Sequence, residues 1–99
     1  IIAGRAPLLP GALDLAGRKM LTKGDRVNRE YVGGDITIDA GITKELVSLL
    51  YDPQTAGGRV ISIAGDRAEA MLARLRETYA EAAIIGRVIE YGGRSLAVI

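Results

Sequence analysis

Residues 51–65, "YDPQTAGGRVISIAG", carry the chain from the end of an apolar helical run into an apolar run with strand character. Between them lie Asp52, Pro53, the uncharged polar pair Gln54–Thr55, Ala56 and the pair Gly57–Gly58. A connector that only had to turn could be simpler, since Asn-Gly suffices. Upstream, "ITKELVSLLY" (42–51) offers Thr43 as an N-cap, with Ile42 and Val47 at the positions of a hydrophobic staple. Pro53 disfavours helical geometry at Asp52, which predicts a helix ending near Tyr51. Downstream, "RVISIA" (59–64) alternates Ile61 and Ile63 against Val60 and Ser62 and predicts a strand.

Working outward, "GDRAEAMLARLRETYAEA" (65–82) is the clearest helix pattern. Asp66 and Glu69 have capping-box spacing, and Met71, Leu72, Leu75 and Tyr79 form an apolar stripe. "IIGRVIEYGGRSLAVI" (84–99) reads as two strands joined by Gly92–Gly93, whose tolerance of positive φ suits a tight hairpin. In "PLLPGALDLAGRKMLTKG" (7–24), Leu9, Leu13, Ala16 and Met20 fall at helical spacing, with Pro10 in the first turn and Gly24 at the end. "GDRVNREYVGGD" (24–35), rich in Gly and charge, predicts a loop with at most one helical turn, and "DITID" (35–39) a short strand. Helices interspersed with strands and a hairpin predict one α+β domain over residues 1–99, a mixed β-sheet packed by helices.

Composition narrows the function. Hydrophobic residues make up 48% of the 99, with no Phe or Trp and four Tyr, so the core is aliphatic, as in layered α/β structures. Thirteen basic and 12 acidic residues are interspersed for a net charge of +1, without the basic stripe of a phosphate-tracking protein, so no nucleic-acid partner is expected. No apolar run approaches the ~18 residues of a membrane span, and no membrane partner is expected. Zero Cys and zero His exclude disulfides, thiolate chemistry and imidazole catalysis, and point to a cytoplasmic setting. The chain starts at Ile1 and stops in "SLAVI", apolar at both ends, which reads as part of something longer.

The remaining reactive groups are carboxylates, Lys, Tyr, Ser and Thr. Neither a G-x-S-x-G elbow nor a G-x-x-x-x-G-K-[ST] phosphate loop is present. The 52–58 loop has two readings. Asp52 is a hard oxygen ligand suited to Mg²⁺, Thr55 offers a hydroxyl, and the N–H groups around Gly57 and Gly58 can form an anion nest. Alternatively Asp52 ends one element and the Gly pair permits close packing, the commoner use of such loops. Asn28 likewise suits a ligand, and Arg26 and Arg29 a phosphate, or all three tie down the backbone around them.

"LLYDPQTAGGRVISIAG" resembles the C-terminal domain of the selenophosphate synthetases (selenide, water dikinases), which write this segment as an apolar run, DPQTSGG and an apolar strand. Asp52, Pro53, Gln54, Thr55, Gly57 and Gly58 match, and Ala56 replaces the serine. "PLLPGALDLA" resembles the family's helix entry. Gly24 and Asn28 resemble a segment in which glycine precedes asparagine by four, although Lys23 and Asp25 depart from the usual glycine and threonine. "AAIIGRVIE" resembles the closing strand.

The resemblance implies a C-terminal domain of the aminoimidazole ribonucleotide synthetase type, α/β layered and partly ferredoxin-like, truncated on its N-terminal side. It implies an enzyme that converts ATP, selenide and water to selenophosphate, AMP and phosphate with Mg²⁺. ATP and metal would be held by an N-terminal domain and a homodimer interface outside this chain. Asp52, Gln54, Thr55, Gly57, Gly58 and Asn28 would then shape the face toward the nucleotide cleft. No catalytic residue, metal ligand or tightly bound cofactor is expected on these 99 residues, which alone should be inactive. The alternative is a non-catalytic ligand-binding or dimerisation module of a superfamily relative.

Overall fold

The shape of the sheet is set by pairing between segments far apart in sequence. The computed structural model describes residues 1–54 and 56–99. Its helices are α1 (Ala12–Gly17), α2 (Lys23–Val32), α3 (Lys44–Tyr51) and α4 (Gly65–Arg76), and its strands are β1 (Ile36–Ile38) and β2 (Leu96–Val98). β1 and β2 run parallel, with Ile36 opposite Leu96, Thr37 opposite Ala97 and Ile38 opposite Val98. Asp39 N–H extends the pairing, donating to the Val98 carbonyl at 2.9 Å. The other edge of β2 is taken by the first residues of the chain. The Ile1 amine donates to the Ala97 carbonyl at 2.6 Å, Ile99 N–H to Ile1 at 2.9 Å, and Ala3 N–H to Ile99 at 2.7 Å. Beyond them, Ile2 N–H reaches the Ile85 carbonyl at 2.7 Å. Ala3 and Val98 are buried within this layer, while Ala16 and Val47 are buried on α1 and α3.

The α+β class read from the sequence is observed, but several elements differ from expectation. The hairpin about Gly92–Gly93 is absent: residues 84–91 carry no assigned strand, and β2 pairs in parallel with β1. "RVISIA" carries no assigned strand and takes no place in the sheet, and Val60 is 75% exposed. Alternation identifies a strand only when a partner edge covers one face.

The helix expected across residues 7–24 shrinks to the six residues of α1. Gly11 precedes it at φ 83°, and Lys19 stops it at φ 60°. Lys19 N–H donates to Ala16 and Met20 N–H to Leu15, the two bonds of a Schellman ending with lysine in the left-handed place usually held by glycine. Of the expected stripe only Ala16 is buried.

Conversely, most of the expected loop at 24–35 is helical, taken up by the ten-residue α2 that begins at Lys23. Its i,i+4 pairs, Asp25 with Arg29 and Arg26 with Glu30, support a helix poor in apolar residues. α3 matches the sequence: Thr43 Oγ1 accepts from Leu46 N–H at 3.4 Å, and the helix ends at Tyr51. α4 is present too, though its N-cap is Ala64 without a side-chain cap bond. Asp66 therefore lies in the first turn, where the helix dipole favours it, and not at a capping box. Met71, Leu72 and Leu75 are half-buried, whereas Tyr79 lies past the helix end and is exposed.

Candidate functional site

Three successive residues at the end of α3 are each held from the α2 side. Gly24 and Asn28, four apart, share one face of α2. Asn28 Nδ2 donates to the Tyr51 carbonyl at 2.7 Å. One residue on, Asp52 Oδ1 accepts from Thr22 Oγ1 at 2.8 Å, Thr22 being the N-cap residue of α2. Then Pro53 lies against Gly24: a Cβ there would come 2.7 Å from Pro53 Cδ and closer still to its Cγ. The sequence makes this possible because Pro53 ends α3 and turns Asp52 to extended backbone, φ −66° and ψ 124°, across the start of α2.

A polar cluster lies beside this lock. Arg29 Nε donates to both Asp25 oxygens, at 3.1 and 3.2 Å, and its Nη2 to Ser48 Oγ at 2.9 Å. Its guanidinium carbon sits 4.6 Å from the centre of the Tyr51 ring, within cation–π range. Asp25 and Ser48 are buried, so Arg29 matches a buried carboxylate that would otherwise be unpaired.

Among the residues singled out from sequence, Asn28 is brought to the Tyr51 carbonyl, next to Asp52 in the chain, and Gln54 follows two residues on, exposed. Asn28 reaches the backbone. Asp52 is half-buried, with one oxygen engaged by Thr22. Gly57 folds against Gln54, since a Cβ on it would lie 2.5 Å from the Gln54 Cβ. Gly58 is exposed and has nothing within 4 Å of where a Cβ would stand. Neither glycine has positive φ. Thr55 lies outside the described residues. Arg29 is committed to Asp25 and Ser48, and Arg26 faces Glu30 at 4.0 Å on the exposed side of α2. Sequence reading missed Thr22 and Tyr51; the i,i+4 spacing of Gly24 and Asn28 was the available signal that one helical face was in use.

Thr22 and Asp52 also line a cleft of about 150 Å³ with Leu15, Ala16, Met20 and Leu49, an apolar slot between α1 and α3 with a carboxylate and a hydroxyl in its wall. A larger cleft of about 390 Å³, lined by Arg5, Leu72, Arg76 and Ile84 among others, includes none of these residues. Among the described residues no group of three or more acidic side chains is placed to hold a metal ion. Among the described residues no helix is long and apolar enough to cross a membrane. Chemically, the arrangement can present the Asp52 carboxylate and the Gln54 amide, rooted at Tyr51–Pro53, to something outside the chain.

The chain is similar to the selenide, water dikinase of Clostridium botulinum (strain Alaska E43 / Type E3), 32% identical over 98 residues, which are 99% of this chain and 28% of that protein. The selenide, water dikinase of Pelobacter propionicus is 37% identical over 91 residues, 91% of this chain and 26% of its own. That of Clostridioides difficile (strain 630) is 33% identical over 94 residues, 94% of this chain and 27% of its own. The chain thus spans about a quarter of the length of the curated relatives it matches. No model of a protein family and no solved structure matches it.

Proposed function

By sequence the chain belongs to the selenide, water dikinase family, the selenophosphate synthetases, and on that premise we propose that it forms most of the C-terminal domain of such an enzyme. The observation that carries this reading is the match of nearly the whole chain to about a quarter of each relative. The domain is of the aminoimidazole ribonucleotide synthetase type. The full-length enzyme converts ATP, selenide and water to selenophosphate, AMP and orthophosphate, acting as a cytoplasmic homodimer.

Two phosphoryl groups leave ATP in that reaction, one to selenium and one to water. Such transfers depend mainly on positioning and charge neutralisation, so a domain can matter without supplying a nucleophile. This chain's part is to close the nucleotide cleft against an N-terminal ATP-binding domain with the Asp52–Gly58 loop. The lock of Thr22, Gly24 and Asn28 on residues 51–53 supports that role by holding the loop's root. Mg²⁺ does not fit these residues alone: Asp52 is a single carboxylate already accepting from Thr22, and no acidic cluster stands around it among the described residues. The metal belongs to the other domain.

The test is ³¹P NMR of the full-length gene product with ATP, Mg²⁺ and selenide under anaerobic conditions. A selenophosphate resonance together with AMP is expected. ATP left intact, or converted only to ADP, would favour the non-catalytic module.

A further inference from the structure

We propose that Arg29 is a positioning residue for the Asp52–Gln54 segment, acting through Tyr51; this rests on the reading above that the segment faces the nucleotide. Arg29 is fixed on three sides, by both oxygens of Asp25, by Ser48 Oγ and by the Tyr51 ring. A planar guanidinium can meet all three at once, and a lysine ammonium cannot. Arg29 and Asn28 are consecutive, and between them they hold both ends of Tyr51: Arg29 lies over the ring, and Asn28 binds the carbonyl at 2.7 Å. Tyr51 is the last residue of α3, so the orientation of its peptide sets the direction in which Asp52 leaves the helix. Thr22 then holds Asp52 at 2.8 Å. A salt bridge whose only task was to hold α2 to α3 would need neither the Tyr51 ring nor a place one residue from the loop. Removing Arg29 frees the ring and leaves Asp25 buried without its cation, so the root of the loop loosens while the rest of the fold keeps its contacts.

The experiment uses full-length protein and compares Arg29→Met and Arg29→Lys with wild type by amide hydrogen exchange and by ATP kinetics. In Arg29→Met, exchange across residues 51–54 should speed up about tenfold, the scale of losing a hydrogen bond to a charged group, with exchange across α4 unchanged. KM for ATP should rise with little change in kcat, and Arg29→Lys should recover part of both effects. Exchange at 51–54 equal to wild type, or a rise spread evenly over all helices, would overturn the proposal. If Arg29→Met does not fold, Tyr51→Leu removes the ring and leaves the Asp25–Arg29 pair, and the same local rise is required of it. Localised exchange in an enzyme that makes no selenophosphate would sink the functional reading and leave the positioning role standing.

Discussion

Thr22 and Asp52, 30 residues apart, meet through a 2.8 Å hydrogen bond in which the threonine hydroxyl donates to the carboxylate. The bond ties the start of α2 to the residue just past α3. Because Thr22 is exposed and the bond open to solvent, Thr22→Val should lower the stability of the chain by no more than ~1 kcal/mol. Asp52→Asn, which keeps an acceptor oxygen, should cost less. Urea titration of the two variants checks the order, and an equal or reversed cost would mean that the bond is not formed in solution.

Gly24 lies inside a helix, where alanine normally gains about 1 kcal/mol over glycine. Here the added methyl meets the ring of Pro53, which cannot swing aside. Gly24→Ala should therefore destabilise the chain, by ~1–3 kcal/mol as for an overpacked site. A rise in Tm would show that α2 and the loop are not in contact.

Lys19 occupies a left-handed conformation at the end of α1, φ 60°, where a side chain costs roughly 1 kcal/mol relative to glycine. Lys19→Gly is expected to stabilise the chain by about that amount and Lys19→Val to destabilise it, both read from thermal unfolding.

Asn28→Ala removes the only side-chain donor observed on the Tyr51 carbonyl among the described residues. The loss should be ~1 kcal/mol, the net worth of one such bond, and Asn28→Asp should do no better because a carboxylate cannot donate. Chemical denaturation measures both.

Asp35 gives the fold a pH signature. Hydrogen bonds from Ser95, side chain first and then backbone N–H, together with the charge of Arg94, hold its carboxyl below the usual carboxylate range. Its folded pKa is depressed, so its stabilising contribution is fully present above the ordinary carboxylate pKa and is lost as pH falls through the folded value. Asp35→Asn should therefore be less stable than wild type at neutral pH, and the gap should close below about pH 4. A gap that stays constant down to strong acid would show that the interaction with Ser95 does not form.

The regions legible from sequence are those whose signals are local. Thr43 and Pro53 bracket α3, and the apolar spacing of Met71, Leu72 and Leu75 marks α4. α2 was illegible because "KGDRVNREYV" has few apolar residues. Its helix rests on pairs such as Asp25–Arg29 and on contacts with residues 48–53 that no window of sequence contains. "RVISIA" carries a strand's alternation without a strand's partner.

Sequence by itself determined the α+β character, the end of α3 at Tyr51 and the kinship with selenide, water dikinases. Each depends on residue types at short spacing, where backbone sterics and capping act within a few residues. Tertiary structure alone decided that Leu96–Val98 pairs in parallel with Ile36–Ile38, and that Thr22, Gly24 and Asn28 close on Tyr51, Asp52 and Pro53. Those contacts join segments more than 20 residues apart. Their partners are chosen by which edges and faces the rest of the chain leaves open, a choice made only when the whole chain is folded.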